Sequence, residues 1–181
     1  MRKTSADQTI DAGSELGTHL GIVASRATRP EASGLQTGIG EIDRKLLGLR
    51  DGEFVLLAAR PSMGKSSLAL NIATNAVEAG HDVLFFSLEV GRSQILDNVV
   101  AARGQVDTSL LHSGELNDQH WARINRGTAG RVNGGGRLWV NDQPGISISE
   151  MRAIARRLKA RSNRLALVVV DYLGLMRSAT K

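Results

Sequence analysis

Residues 59–66 have the composition and spacing of a phosphate-binding loop. Gly64, Lys65 and Ser66 match the end of the pattern G-x-x-x-x-G-K-[ST], and Ala59 stands where the first glycine is usual. Such a loop wraps backbone N–H groups around phosphates, and Gly64 allows the backbone to come close. Lys65 would place its charge on β and γ phosphate oxygens, and the Ser66 hydroxyl suits Mg²⁺. The predicted phosphate-binding residues are Ala59, Arg60, Pro61, Ser62, Met63, Gly64, Lys65, Ser66 and Ser67.

Two carboxylates follow apolar runs further along the chain. Asp171 ends the run LALVVVD, as does the second magnesium-side carboxylate of a phosphate-loop enzyme, although a simple strand-end turn gives the same pattern. Glu89 ends the run FFSLE and should open on the same carboxyl edge of the sheet, where ligands bind. It could orient or deprotonate an attacking water. Its spacing fits a helix-capping glutamate equally well.

The elements that would position these residues alternate between strand and helix. Continuous apolar runs predict buried strands at residues 53–58, 83–88, 138–140 and 164–171. Helices are predicted at residues 65–79 and 92–103, after the N-caps Asp107 and Asn117, and after a capping box at residues 147–150. The inward-facing residues of two of these helices are predicted to be Ile95, Leu96, Val99 and Val100, and Ile148, Met151, Ile154, Ala155 and Leu158. This alternation predicts an α/β fold with a parallel sheet.

Composition and charge narrow the class of protein further. The 181 residues include no cysteine, which excludes a disulfide scaffold and a cysteine-ligated zinc site and fits a cytoplasmic protein. No apolar run has the ~20 residues that a membrane span needs, and the N-terminus has no signal-peptide character. Aromatic residues are too few to favour a base-stacking nucleic-acid platform.

Positive charge is concentrated in the second half of the chain. Residues 1–90 hold 9 basic and 11 acidic residues, whereas residues 91–181 hold 14 basic and 7 acidic ones. A basic half can attract a polyanion, but a solvated helix face rich in arginine is an equally good interpretation. The densest cluster, opposite an apolar helix face, comprises Arg152, Arg156, Arg157, Lys159, Arg161 and Arg164. It could serve solubility, or face a neighbouring subunit or a nucleic acid.

Several segments together resemble one family over about residues 34–177. They are AARPSMGKS, SLE and DYLGLM, preceded by TGIGEIDRKLLGL and interspersed with GELNDQHWARI. In this order they resemble the ATPase domain of replicative DNA helicases of the DnaB type. The resemblance implies a RecA-like core in a hexameric ring that uses ATP to move along one DNA strand and unwind duplex. It implies that Lys65 and Ser66 bind phosphate and magnesium, that Asp171 supports the magnesium, and that Glu89 is the catalytic base.

The resemblance also implies a division of the chain. Residues 1–33 would be a linker, partly disordered or helical, and residues 34–181 the front part of the RecA-like domain. Gly174 stands where the family usually has Gln, and Val90 where it has Met. The family carries two further core strands, DNA-binding loops and an arginine finger beyond Asp171, so we expect a C-terminally truncated domain with an incomplete sheet and weak or no ATPase activity. One missing strand would lie between residues 53–58 and the strand that ends at Asp171, which would leave unpaired edges.

Three functions follow as alternatives. The first is a DNA-replication helicase motor with ATP and Mg²⁺ as cofactors, DNA and a homo-hexamer as partners, and a primase and helicase loader as further ones. The second is another RecA-like ATPase, of the recombinase or signalling type. The third is a truncated, non-catalytic nucleotide-binding fragment, because arginine fingers contribute ~10³–10⁵ in rate.

Overall fold

The computed structural model describes residues 11–28, 34–60, 62–129 and 135–171. Its helices are α1 (Ala12–Thr28), α2 (Gly40–Leu46), α3 (Lys65–Glu78), α4 (Arg92–Gly104), α5 (Thr108–Ser113), α6 (Asp118–Ala129) and α7 (Ile148–Arg161). Its strands are β1 (Asp82–Ser87), β2 (Leu138–Asn141) and β3 (Leu165–Asp171). The predictions on Pro61 and Gly174 lie outside the described residues.

The three strands form one parallel sheet in the order β2-β1-β3. In the central strand, Val83 is opposite Leu138 of β2, and Phe86 is opposite Val170 of β3. Parallel strands need crossover connections, which α7 and the α4–α6 region supply. The predicted α/β fold with a parallel sheet is confirmed.

Helices cover both faces of the sheet because β1 is apolar on both sides. Val83 and Phe85 pack with α3 and α4 in one buried cluster, which includes Ala73 and Ile95. Leu84 and Phe86 pack with α7 in a second cluster, which includes Met151. All six β1 residues are buried, as the continuous apolar run predicted. The molecule is thus layered, with the sheet between α3 and α4 on one side and α7 on the other.

The helix ends follow the local sequence signals. Helix α3 ends just before Gly80, whose φ of 94° lies in the left-handed region that glycine adopts at little cost. The predicted capping box of α7 is present, since Ser147 and Glu150 bond each other's backbone N–H groups. Asp107 caps α5 by accepting from Ser109 N–H. Asn117 accepts from His120 N–H at the start of α6.

The predicted strand at residues 53–58 is wrong. This segment has no regular secondary structure and is exposed throughout, with Phe54 79% and Leu56 69% accessible. A strand is stabilised only by a partner strand, and none lies beside this segment in the described ranges. The apolar sequence of this segment therefore makes it suitable for burial, but it is not buried because it has no partner strand.

Two side chains predicted to face inward are also exposed. Leu96 on α4 is 51% accessible and Ile148 on α7 is 53% accessible, whereas Ile95, Val99, Met151 and Leu158 are buried as predicted. Leu96 is thus on the solvent side of its helix, and Ile148 is the first residue of its helix. Residues 12–25 of helix α1 are likewise exposed. Among the described residues, no helix has the length and apolar character that crossing a membrane requires.

Asp82 joins three parts of the fold at the start of the sheet. Its carboxylate accepts from Arg137 N–H at 2.8 Å, just before β2, and from the Ser162 hydroxyl, just after α7. Burial by itself would raise the pKa of Asp82. The hydrogen bonds from Ser162 and Arg137, with the charges of Arg164 and Arg137, outweigh burial and lower the pKa below its usual value.

Replacing Asp82 with asparagine should therefore weaken the fold in a pH-dependent way. Because the folded-state pKa is lowered, the ionised carboxylate stabilises the protein above its unfolded-state pKa of ~3.9, and this contribution disappears as the pH falls through the folded-state pKa. We expect Asp82→Asn to lower the free energy of unfolding at pH 7 by about 1–3 kcal/mol. Urea unfolding at pH 7 and at pH 3 measures the effect, which should shrink at the lower pH. A loss of equal size at both values would contradict this role of the ionised group.

Candidate nucleotide-binding site

The phosphate loop leads directly into the first turn of α3. Gly64 is the N-cap of that helix, with a φ of 79°, and Leu68 N–H donates to Gly64 O at 2.9 Å. A β-carbon on Gly64 would meet no atom within 4 Å, so the left-handed backbone and not crowding requires glycine here. Ser62 also has a positive φ, of 64°, an unusual conformation of the kind that clusters at ligand sites. The loop therefore presents an open, turned backbone at the positive end of a helix.

A hydrogen-bond network connects residues 37–43, which precede the phosphate loop in the chain, to helix α3. The Asp43 carboxylate accepts from the N–H and hydroxyl of Thr37, both at 2.7 Å, and from Gly38 N–H at 3.0 Å. Asn75 on α3 donates to Thr37 O at 2.9 Å. Burial opposes ionisation of Asp43, but the hydrogen bonds from Thr37, Gly38 and Ile39 together lower its pKa. The sequence motifs did not indicate Asp43 or Asn75, which link Thr37 to the phosphate-loop helix. The N-cap of α2 is Ile39 and not Thr37, the residue expected from its side chain to cap that helix.

Lys65 and Asp171 meet at the carboxyl edge of the sheet. Lys65 Nζ lies 2.8 Å from Asp171 Oδ1, and the side chains are 27% and 5% accessible. Lys65 begins α3, and Asp171 ends β3, 106 positions further along the chain. The sequence predicted that the loop and the end of this strand open on the same edge, and the ion pair places them in direct contact.

Glu89 lies on a short turn beside the same pair. The turn is closed by the Ser87 hydroxyl, which donates to Val90 O at 2.6 Å. It is fastened to the end of β3 by Leu88 N–H, which donates to Asp171 O at 2.7 Å. Glu89 itself is exposed. The carboxylate of Glu89 is therefore open to solvent, on a turn whose backbone is bonded to the end of β3. The Ser87 hydroxyl that closes this turn is a contact that the sequence motifs did not indicate.

The residues present fit a magnesium ion bound with phosphate. Mg²⁺ prefers oxygen ligands, keeps several waters, and needs few protein groups when phosphates supply the rest. The buried Asp171 carboxylate and the half-buried Ser66 hydroxyl, adjacent in sequence to the Lys65 that Asp171 contacts, are such groups. Across the described ranges there is no group of three or more His, Cys, Asp or Glu that could hold a metal by itself. A cation here would depend on the phosphate it accompanies.

Fold and loop together define the class. A parallel sheet covered by helices on both faces, with a G-K-S loop opening a helix and an aspartate ending a strand beside it, is a RecA-like phosphate-loop nucleotide-binding domain. The family model described as the DnaB-like helicase C terminal domain matches residues 34–181. The chain belongs to this family.

Individual relatives and solved structures agree. The chain is 36% identical over 150 residues to the replicative DNA helicase DnaC of Bacillus subtilis, covering 82% of this chain and 32% of that protein. The structure described as the ATPase domain of G40P superposes with a TM-score of 0.83 at 25% identity, covering 94% of this chain and 61% of that one. A second structure, described as a DnaB-like replicative helicase and its interactions with primase, superposes with a TM-score of 0.81 at 24% identity. The match covers 98% of this chain and 42% of that one. The chain thus spans about a third of the length of the curated relatives it matches.

Proposed function

We propose that this chain is the front part of the ATPase motor of a replicative DNA helicase, which couples ATP hydrolysis to movement along one DNA strand and to duplex unwinding. The observation that carries the proposal is the contact between Lys65 of the phosphate loop and Asp171 at the end of β3, in a chain of the DnaB-like helicase family. The contact supports the proposal because it joins the cation that we propose binds phosphate to the carboxylate that we propose binds magnesium.

In this proposal each site residue has a distinct task. The loop residues Ala59, Arg60, Pro61, Ser62, Met63, Gly64, Lys65, Ser66 and Ser67 bind the ATP phosphates. Lys65 places its charge on the β and γ phosphate oxygens. Ser66 and Asp171 would hold Mg²⁺, which when bound neutralises phosphate charge. Glu89 accepts a proton from the attacking water.

The proposed partners follow from the family and not from the geometry of the site. We propose that DNA is the substrate, as single strand and fork, that the working form is a homo-hexamer, and that a primase and a helicase loader bind the assembly. One solved relative is named for its interactions with primase, which supports the primase proposal. With a replicative role we also propose a cytoplasmic location.

A second candidate function is nucleotide binding without turnover at a helicase rate. The segment that precedes the phosphate loop, residues 53–58, is exposed and has no ladder partner in the described part of the chain. A loop anchored on one side only, by α3, can bind phosphates yet hold them less rigidly for in-line attack. The recombinase or signalling type of ATPase has no comparable observation in its favour.

The Glu89→Gln variant tests the proposed function and separates the two candidates. We expect this variant to bind ATP with unchanged affinity. The rate of ATP hydrolysis, measured in a single turnover with single-stranded DNA present, should fall by ~10²–10⁴-fold because the amide cannot take the proton. An exposed glutamate on another part of the surface, Glu115, provides the control as Glu115→Gln. Hydrolysis by Glu89→Gln at the unsubstituted rate would contradict the assignment. A chain that binds ATP yet shows no DNA-dependent hydrolysis would favour the second candidate.

A further inference from the structure

The outer surface of α7 carries four exposed arginines. They are Arg152, Arg156, Arg157 and Arg161, and none of them makes a hydrogen bond or an ion pair within the described ranges. The single acidic residue of this helix, Glu150, is engaged in the capping box with Ser147. We refer to these four arginines as the α7 basic face. Their guanidinium groups are available to a ligand.

The spacing of the α7 basic face is unfavourable for the helix alone. Arg152 and Arg156 are four residues apart, as are Arg157 and Arg161, so each pair places like charges on neighbouring turns. Each such pair destabilises a helix by about 0.2–0.5 kcal/mol. Arg152 also lies in the first half of the helix, where cations gain nothing from the helix dipole. The helix dipole favours Arg161 in the last turn, but neither the dipole nor ion pairing accounts for Arg152 and Arg156.

Two neighbouring cations of the same sequence cluster have structural tasks instead. Lys159 Nζ donates to Leu165 O at 2.8 Å, at the start of β3. Arg164 donates to Gly80 O from Nη2 at 2.6 Å and from Nε at 3.1 Å, just before β1. These two side chains donate to carbonyl groups at or just before the beginning of a strand, whereas the four arginines of the α7 basic face make no such bond.

We propose that the α7 basic face binds the phosphodiester backbone of a nucleic acid. A polyanion would relieve the repulsion within both arginine pairs and release the counterions that they otherwise attract. Arginine suits phosphate because its planar fork donates two parallel hydrogen bonds. Helix α7 has no aromatic residue, so it offers no platform for base stacking. The recognition we infer is therefore of backbone phosphates and independent of base sequence.

An acidic surface on a second copy of the chain fits the face less well. The chain carries a formal net charge of +5, and its more acidic half, residues 1–90, holds only two more acids than bases. Among the acids in that half, Glu41 pairs with Arg44, and Asp43 and Asp82 accept hydrogen bonds from nearby groups. A regular row of four arginines is matched better by a regular row of phosphates.

This contact lies apart from the candidate nucleotide site. Helix α7 covers the sheet face that includes Leu84 and Phe86, whereas α3, with the phosphate loop at its start, covers the opposite face. The inference rests on the proposed function in that the nucleic acid would be the DNA of a helicase. Because the sheet separates the two sites, substitutions on the α7 basic face should leave ATP binding unchanged, and the two proposals can fail independently.

Matched arginine substitutions test the inference in the 181-residue chain. The variant Arg152→Gln/Arg156→Gln removes two charges from the face, and Arg123→Gln/Arg126→Gln removes two from the exposed side of α6. Glutamine keeps a helix propensity close to that of arginine, and the loss of like-charge repulsion should leave the Tm unchanged or raise it. Fluorescence anisotropy is measured with an oligothymidine strand and with a duplex of mixed sequence, between 50 and 200 mM NaCl.

We expect the α7 double variant to bind DNA about 10- to 30-fold more weakly at 100 mM salt, with a salt slope shallower by about 1.4 for the single strand and about 1.8 for the duplex. The α6 variant should lose much less. Equal losses in both variants, or DNA binding by the α7 variant with an unchanged slope, would overturn the inference. A change in oligomeric state without a change in DNA affinity would also overturn it, since the face would then join copies of the chain.

Discussion

Replacing Lys65 with alanine should lower the affinity for ATP by about 10- to 100-fold. We propose that its ammonium group binds phosphate oxygens, and a hydrogen bond to a charged group contributes ~1.5–3 kcal/mol. Calorimetric titration with ATP and Mg²⁺ measures the change. The matched control is Lys45→Ala, which removes an exposed lysine of α2 and should leave the affinity unchanged. Unchanged affinity in Lys65→Ala would contradict the assignment of the loop.

The same substitution has a second effect that must be separated from the first. Lys65 is the ion-pair partner of the buried Asp171 carboxylate, and a buried charge without its partner destabilises the fold. Because Lys65 is partly exposed, solvent can replace some of the interaction, and we expect a loss of about 1–3 kcal/mol in the free energy of unfolding. Titration well below the Tm of the variant, with circular dichroism to verify folding, isolates the effect on binding. Lys65→Arg should recover much of the stability because it restores a cation beside Asp171.

The parts of the fold that local chemistry decides could be predicted from the sequence. The capping box of α7, the cap at Asp107 and the left-handed Gly80 each depend on residues close in the chain, and each is present. The buried strand β1 was predictable for a different reason. It is apolar on both faces, and the helices on either side of it in the sequence supply the layers that cover it.

What could not be predicted depends on partners distant in the sequence. Residues 53–58 are as apolar as β1, yet a strand exists only through its ladder, and the local pattern does not record which neighbour is present. The site shows the same limit. Lys65 and Asp171 were recognisable by motif, whereas the turn closed by Ser87, which carries Glu89 to the end of β3, depends on hydrogen bonds that no motif encodes.

Two phenylalanines of the same chain allow this difference to be measured. Phe85 is 0% accessible at the centre of β1, and Phe54 is 79% accessible in the unpaired segment before the phosphate loop. We expect Phe85→Ala to lower the free energy of unfolding by ~3–5 kcal/mol, because it removes a ring and leaves a cavity between the sheet and α3. Phe54→Ala should change it by less than about 0.5 kcal/mol. Urea unfolding followed by circular dichroism measures both.

Both variants replace the same residue type in the same chain. The difference between their losses in the free energy of unfolding therefore measures what strand pairing and packing add to an apolar segment. A loss of similar size in both variants would mean that residues 53–58 are buried as a strand in solution, and the sequence-based prediction for this segment would then be right. The expected difference in the free energy of unfolding between the two variants has a consequence for the site. The phosphate loop would be connected on one side to α3 and on the other side to residues that contribute no stability. Nucleotide binding should then depend on α3 and its links to Thr37 and Asp171, and Phe54→Ala should leave ATP affinity as unchanged as stability.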